Sequence, residues 1–147
     1  MTGGTFSTTI QAPIERVWAI VGDIDSHASW SPKRYQMAWT SAEHNQVGAT
    51  FHSIGIGLSR SENDVEITER IDPTRLAFRS NDTQGVFTNA WDLRSVDADT
   101  TEVSYTVTFP SMRGIAGIVA PFLFSTAGKS DITKRLAMLK QKVETGA

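Results

Sequence analysis

A chain of 147 residues is the length of one domain, here taken as 1-147, and at that size folding buries about 70% of the unfolded chain's surface. Its 39% hydrophobic and 20% charged content is that of an ordinary globular protein, and a net charge of −2 with a pI near 5.9 offers no basic surface for nucleic acid or anionic lipid. The absence of cysteine excludes disulfides, thiol catalysis and thiolate metal sites, and fits a reducing compartment. The first residues, Met1 to Phe6, carry neither a positive region nor an apolar core, and no window reaches the ~18 apolar residues of a membrane span. A cytoplasmic protein without stable membrane insertion is expected.

Thr5 to Ile10 is rich in β-branched residues and predicts a first strand that stops at Ala12-Pro13. Proline suits a helix start, Glu15 suits its positive dipole end, and Ile14, Val17, Trp18 and Val21 form one helical stripe. Gly22-Asp23 ends that helix. A second short turn is expected from Asp25 to Trp30, capped by Asp23 or Asp25 and closed by Pro32.

Strands follow. Tyr35, Met37 and Trp39 alternate with other residues; Gly48 to Leu58 is extended; Glu62 to Ile71 places Val65, Ile67 and Ile71 on one face. Asp72-Pro73-Thr74 is a turn before Leu76 and Phe78. Gly85 opens a strand with Phe87, Trp91 and Leu93 on a shared face, and Asp97 to Thr100 forms a hairpin loop into Val103, Tyr105, Val107 and Phe109. A long run from Ile115 to Val143 closes the chain. Ile132, Leu136, Leu139 and Val143 recur at helical spacing, while Lys129, Asp131, Lys134, Arg135, Lys140 and Gln141 suit a wetted face. Successive strands with short turns make an antiparallel meander, and one long helix is left to cover its buried face: an α+β architecture.

Several segments also match a known pattern. Ile10-Gln11-Ala12-Pro13-Ile14-Glu15-Arg16-Val17-Trp18, Asp23, Trp30-Ser31-Pro32, Gly48-Ala49-Thr50-Phe51, Ile71 to Phe78, and Thr100-Thr101-Glu102-Val103 stand in the order seen in the START-like superfamily, also called SRPBCC or polyketide cyclase/dehydrase-like, which the chain resembles from Phe6 to about Val143. The resemblance implies the helix-grip fold: a curved seven-stranded antiparallel sheet around a long C-terminal helix, two short helices after the first strand, and a cavity between sheet and helix. Members bind sterols, lipids, quinones or aromatic polyketides, catalyse cyclisation or dehydration, or assist other proteins. The matching landmarks are structural, so no catalytic residue is carried across.

Among candidate chemical groups, His27, His44 and His52 fit no zinc spacing, so no metal is expected. His27 and His44 lie in polar surroundings and are expected to be solvated. His52 shares strand parity with Ile54 and Ile56; facing inward it would be an acid/base near neutral pH, and facing outward it leaves Phe51 inside. The outward reading is preferred. Tyr105 lies between Val103 and Val107, as a pocket phenol or a core tyrosine, and Asn89 lies between Phe87 and Trp91. Asn63 and Glu69 share parity with Val65 and Ile67 and are placed in the cavity or at its rim. Glu62, Asp64 and Glu66 read as a solvated face. No nucleophile elbow, phosphate loop or dinucleotide fingerprint is present.

The expected ligand-lining set is therefore Trp30, Phe51, Ile67, Phe78, Phe87, Asn89, Trp91, Tyr105, Val107, Ile118 and Phe122, with no cofactor. The function expected from the resemblance is binding of a small hydrophobic ligand: a lipid, a sterol-like or a polycyclic aromatic molecule. The alternatives are a cyclase or dehydratase using His52 or Tyr105, and a protein-interaction regulator, which predicts a large exposed apolar patch. Oligomeric state is left open. Gly114, Gly117, Pro121 and Gly128 interrupt the terminal run, so Gly114–Phe124 is expected to form a bent or separate lid over the cavity.

Overall fold

The computed structural model describes residues 2–32, 34–56, 60–82, 85–112 and 129–146. Seven strands, β1 (Thr2–Ile10), β2 (Arg34–Trp39), β3 (Thr50–Ile56), β4 (Arg60–Ile71), β5 (Arg75–Asp82), β6 (Gly85–Asp97) and β7 (Thr100–Met112), form one antiparallel sheet of order β1-β7-β6-β5-β4-β3-β2. Between β1 and β2 lie helix α1 (Ile14–Val21) and a 3-10 helix, Ile24–Trp30; helix α2 (Lys129–Thr145) ends the chain. Strand order follows chain order except for β1, which crosses to pair with β7 over its whole length. The proposed lid, with Ile118 and Phe122, lies outside the described residues.

Local chemistry explains the elements between the first two strands. Pro13 precedes α1 and its carbonyl accepts from Arg16 and Val17 N–H, while Val17, Trp18 and Val21 are buried. Asp23 caps the 3-10 helix by accepting from Asp25 N–H at 3.2 Å. Asn45, held at φ 57, accepts from Ile24 N–H at 2.9 Å and ties the β2–β3 loop to that helix.

One face of the sheet is apolar. Phe51, Val65, Ile67, Leu76, Phe78, Trp91, Leu93 and Val103 are buried there with Leu136, Leu139 and Val143 of α2 and the stripe of α1. Two interactions fix α2 to the end of β1: Lys140 Nζ donates to the Thr9 carbonyl at 2.6 Å, and Glu144 Oε2 accepts from Gln11 N–H at 2.8 Å. The C-terminal end of α2 thus packs where β1 ends and β7 begins.

The structure departs from simple alternation in β4. A bulge between Ile67 and Glu69 shifts the register against β5, and one extra residue reverses the facing of all that follow. Ile71, expected beside Val65 and Ile67, is 52% exposed. Glu69, expected in the cavity or at its rim, instead accepts from Arg75 Nε at 2.9 Å. Arg70 takes the inward direction, donating to the Gly22 carbonyl at 2.7 Å with its guanidinium 5.2 Å from the Trp18 ring.

Candidate functional site

Near the N-terminal turns of α2, the space between helix and sheet is not filled. A cavity of about 150 Å³ remains, with Phe51, Val65, Phe78, Phe87 and Trp91 forming its apolar walls. Its polar walls are His27, Tyr35, Ser53, Asn63, Ser80, Asn89, Tyr105 and Arg135. Strand parity delivers most of them. Phe51 and Ser53 share the inner face of β3, as do Phe78 and Ser80 on β5, and Phe87, Asn89 and Trp91 on β6. The rings behind the wall form a continuous stack. Trp91 lies 4.5 Å from Tyr105 and 5.3 Å, edge to face, from Trp30, which is itself 4.5 Å from His27.

Among the described lining residues, Arg135 is the one cation and the others are neutral. Burial pulls the His27 imidazole down to about 3, outweighing its hydrogen bond to Val21, so the ring is uncharged at neutral pH. Its Nε2 lies 2.8 Å from the Val21 carbonyl, an acceptor only, so Nε2 carries the proton and Nδ1 keeps a free lone pair. Burial pushes the hydroxyls of Tyr35 and Tyr105 above the ordinary tyrosine range, and both remain protonated donors. No carboxylate is found among the described lining residues. The Asn63 Oδ1 acceptor is buried without a hydrogen-bond partner, which a donor on a bound molecule would supply. Taken together the walls can hold a flat apolar body and direct several donors at an oxygen on it.

Six of the expected lining residues border this cavity: Phe51, Phe78, Phe87, Asn89, Trp91 and Tyr105. Trp30, Ile67 and Val107 do not, although all three are buried. His52 stands on the opposite face of the sheet. Its Nδ1 lies 3.0 Å from Asp64 and its Nε2 3.3 Å from Glu62, and Asp64 foremost raises its pKa. Two expectations are corrected here. His27 is not solvated but 6% exposed, because the 3-10 helix turns it under Trp30. Arg135 is not on the wetted face of its helix but lines the cavity. Helical arithmetic contains that signal, since Arg135 lies three residues after Ile132 and four before Leu139, on the apolar stripe itself. Tyr35, Ser53 and Ser80 were legible by parity with Met37, Phe51 and Phe78; nothing in the sequence marks His27.

A seven-stranded antiparallel sheet closed by a C-terminal helix over an internal cavity is the helix-grip fold. The family described as polyketide cyclase / dehydrase and lipid transport matches residues 1–144, and the chain belongs to that family. Solved structures share the fold at low identity. The Zhui aromatase/cyclase from Streptomyces sp. R1128 superposes with a TM-score of 0.79 at 16% identity, covering 97% of this chain and 93% of that one. A Thermobifida fusca protein gives 0.76 at 19% identity, covering 97% and 93%. One from Thermus thermophilus gives 0.75 at 16% identity, covering 99% of both. No curated protein matches the sequence significantly. Among the described residues, no helix is long and apolar enough to cross a membrane.

Proposed function

We propose that the protein binds a small hydrophobic ligand in the cavity between the sheet and α2. The observation that carries this reading is the convergence of four aromatic walls, Phe51, Phe78, Phe87 and Trp91, with the inward polar groups of Tyr35, Asn89 and Tyr105 on one unfilled space. A well-packed core leaves few voids larger than a water molecule, and an apolar cavity of ~150 Å³ accepts a benzene-sized ring. The volume bounded by the described residues therefore supports a ligand portion of one ring or a short chain. Trp91 supplies the readout. Titration with small aromatic compounds is expected to change tryptophan fluorescence and to shift amide signals of β3, β5 and β6 in NMR spectra. Native mass spectrometry of the purified protein then identifies what it carries. Saturating aromatic and aliphatic probes that leave every inner-face amide unshifted would remove the reading.

Acid-assisted chemistry on a bound carbonyl, in the manner of a cyclase or dehydratase, is the alternative. The specific observation behind it is that two protonated phenols, Tyr35 and Tyr105, face the same space as the Arg135 guanidinium. Tyr105→Phe distinguishes the two: loss of turnover with binding retained favours an enzyme, whereas a pure binder has no turnover to lose. The large exposed apolar side chains among the described residues, Val47, Ile56, Ile71 and Val96, come from four separate segments, and no observation favours the protein-interaction alternative.

A further inference from the structure

Arg135 is not explained by apolar ligand binding alone. Five other arginines have carboxylate partners: Arg60 with Glu62, Arg70 with Asp72, Arg75 with Glu69 and Asp92, Arg79 with Glu66, and Arg94 with Glu102. Arg135 has none among the described residues, although it points into the cavity. Its Nη2 donates to Ser31 Oγ at 3.2 Å, and its guanidinium carbon lies 5.8 Å from the Trp30 ring and 5.9 Å from the Tyr35 ring. Those contacts position the fork and leave most of its five N–H groups without an acceptor among the described residues.

A guanidinium stays charged at any physiological pH, and its planar fork matches a carboxylate in a two-point hydrogen bond. The other described residues lining the cavity are neutral, so its charge calls for one negative charge from outside. One guanidinium balances a monoanion, which favours a carboxylate over a phosphate dianion. The remaining space accepts one aromatic ring.

Resting on the small-molecule reading of the same cavity, we infer that the ligand class is an aromatic carboxylate. Its acid group is held by Arg135 and its ring packs against Trp91, Phe51, Phe78 and Phe87. Arg135 is then the residue that sets specificity for an acid over a neutral ring.

The 147-residue chain is titrated with benzoate, its neutral counterpart benzamide, and toluene, by calorimetry and by NMR shifts of the inner strands. Wild type is expected to bind benzoate at least about tenfold more tightly than benzamide, the range of one charge-assisted interaction. Arg135→Met, which keeps the stem, is expected to lose about that factor for benzoate while toluene and benzamide bind as before; unchanged toluene binding also shows that the cavity has formed. Arg135→Lys, which keeps the charge without the fork, should fall between. Benzamide or toluene bound as tightly as benzoate by wild type, or benzoate affinity unchanged in Arg135→Met, overturns the inference and leaves the small-molecule reading standing. The wild-type comparison holds even if neither variant folds. Failure of all three probes to bind overturns the inference and leaves the small-molecule reading to the aliphatic probes.

Discussion

His27 shows how much a single enclosed side chain contributes to the behaviour of the whole. Its ring is 6% exposed, hydrogen-bonded to the Val21 carbonyl and packed on Trp30. Its folded pKa of about 3 lies below the ordinary 6.5. As pH falls below 6.5, the unfolded chain takes up a proton that the folded chain refuses, so stability is lost on acidification until the folded pKa is reached. The slope is about 1.4 kcal/mol per pH unit, or roughly 2–3 kcal/mol between neutral pH and pH 4.5. Urea unfolding from pH 7 to 4.5 is expected to show that loss in wild type and not in His27→Gln, which keeps an N–H donor but does not titrate. Parallel pH profiles for the two proteins would contradict this account. His52 responds in the opposite sense: its raised pKa adds stability below the ordinary imidazole value, and that addition disappears as pH rises through the folded pKa. None of the difference between the two histidines is visible in their sequence neighbours.

Among the elements, α2 and β4 carry the organisation. Leu139 is fully buried where α2 meets the sheet. Leu139→Ala is expected to cost about 2–5 kcal/mol in chemical denaturation. Lys134→Ala, on the exposed side of the same helix, should stay within about 0.5 kcal/mol. That contrast was readable in advance, because the stripe from Ile132 to Val143 is long, regular and free of breakers. The bulge of β4 was not. It is decided by pairing with β5, and it turns Arg70 inward to Gly22 and Trp18 while Glu69 turns outward to Arg75. Deleting Thr68 should place Glu69 against the core and strand Arg70 outside, a loss well above about 2 kcal/mol by the same measurement. Thr68→Ala, which keeps the residue count, is expected to be near neutral.

Over the whole molecule, packing is uneven as a result of the topology. At the end where β1 joins α1, the stripes of α1 and α2 fill the concave face with Val17, Val21, Leu139 and Val143. Toward the start of α2, serines, asparagines and Arg135 stand where a core would have large apolar groups, and the cavity remains. An unfilled space lowers stability relative to a packed one, so filling it should stabilise the fold at the expense of binding. Ser80→Val adds apolar volume at a buried lining position. Its melting temperature is expected to rise by a few degrees, as about 1 kcal/mol would give, while affinity for an aromatic probe falls. A variant that binds more tightly and melts lower would show that Ser80 lies elsewhere than on the ligand surface.

Sequence alone determined the order of elements, the antiparallel meander, the apolar stripe of α2 and the inward parity of Phe51, Phe78, Phe87, Asn89, Trp91 and Tyr105. These depend on periods of two and 3.6 residues, which are local properties of a chain. The tertiary structure decided the rest: the enclosure of His27, the reversal after Thr68, and the opening of a cavity where Arg135, already on the apolar stripe by its spacing, meets the sheet. Each depends on which segments meet across the sheet, and a buried ring or an unpaired guanidinium is defined by neighbours distant in sequence. The polar lining lies at that level too, since Ser53, Ser80 and Arg135 become parts of one site only when β3, β5 and α2 enclose the same space.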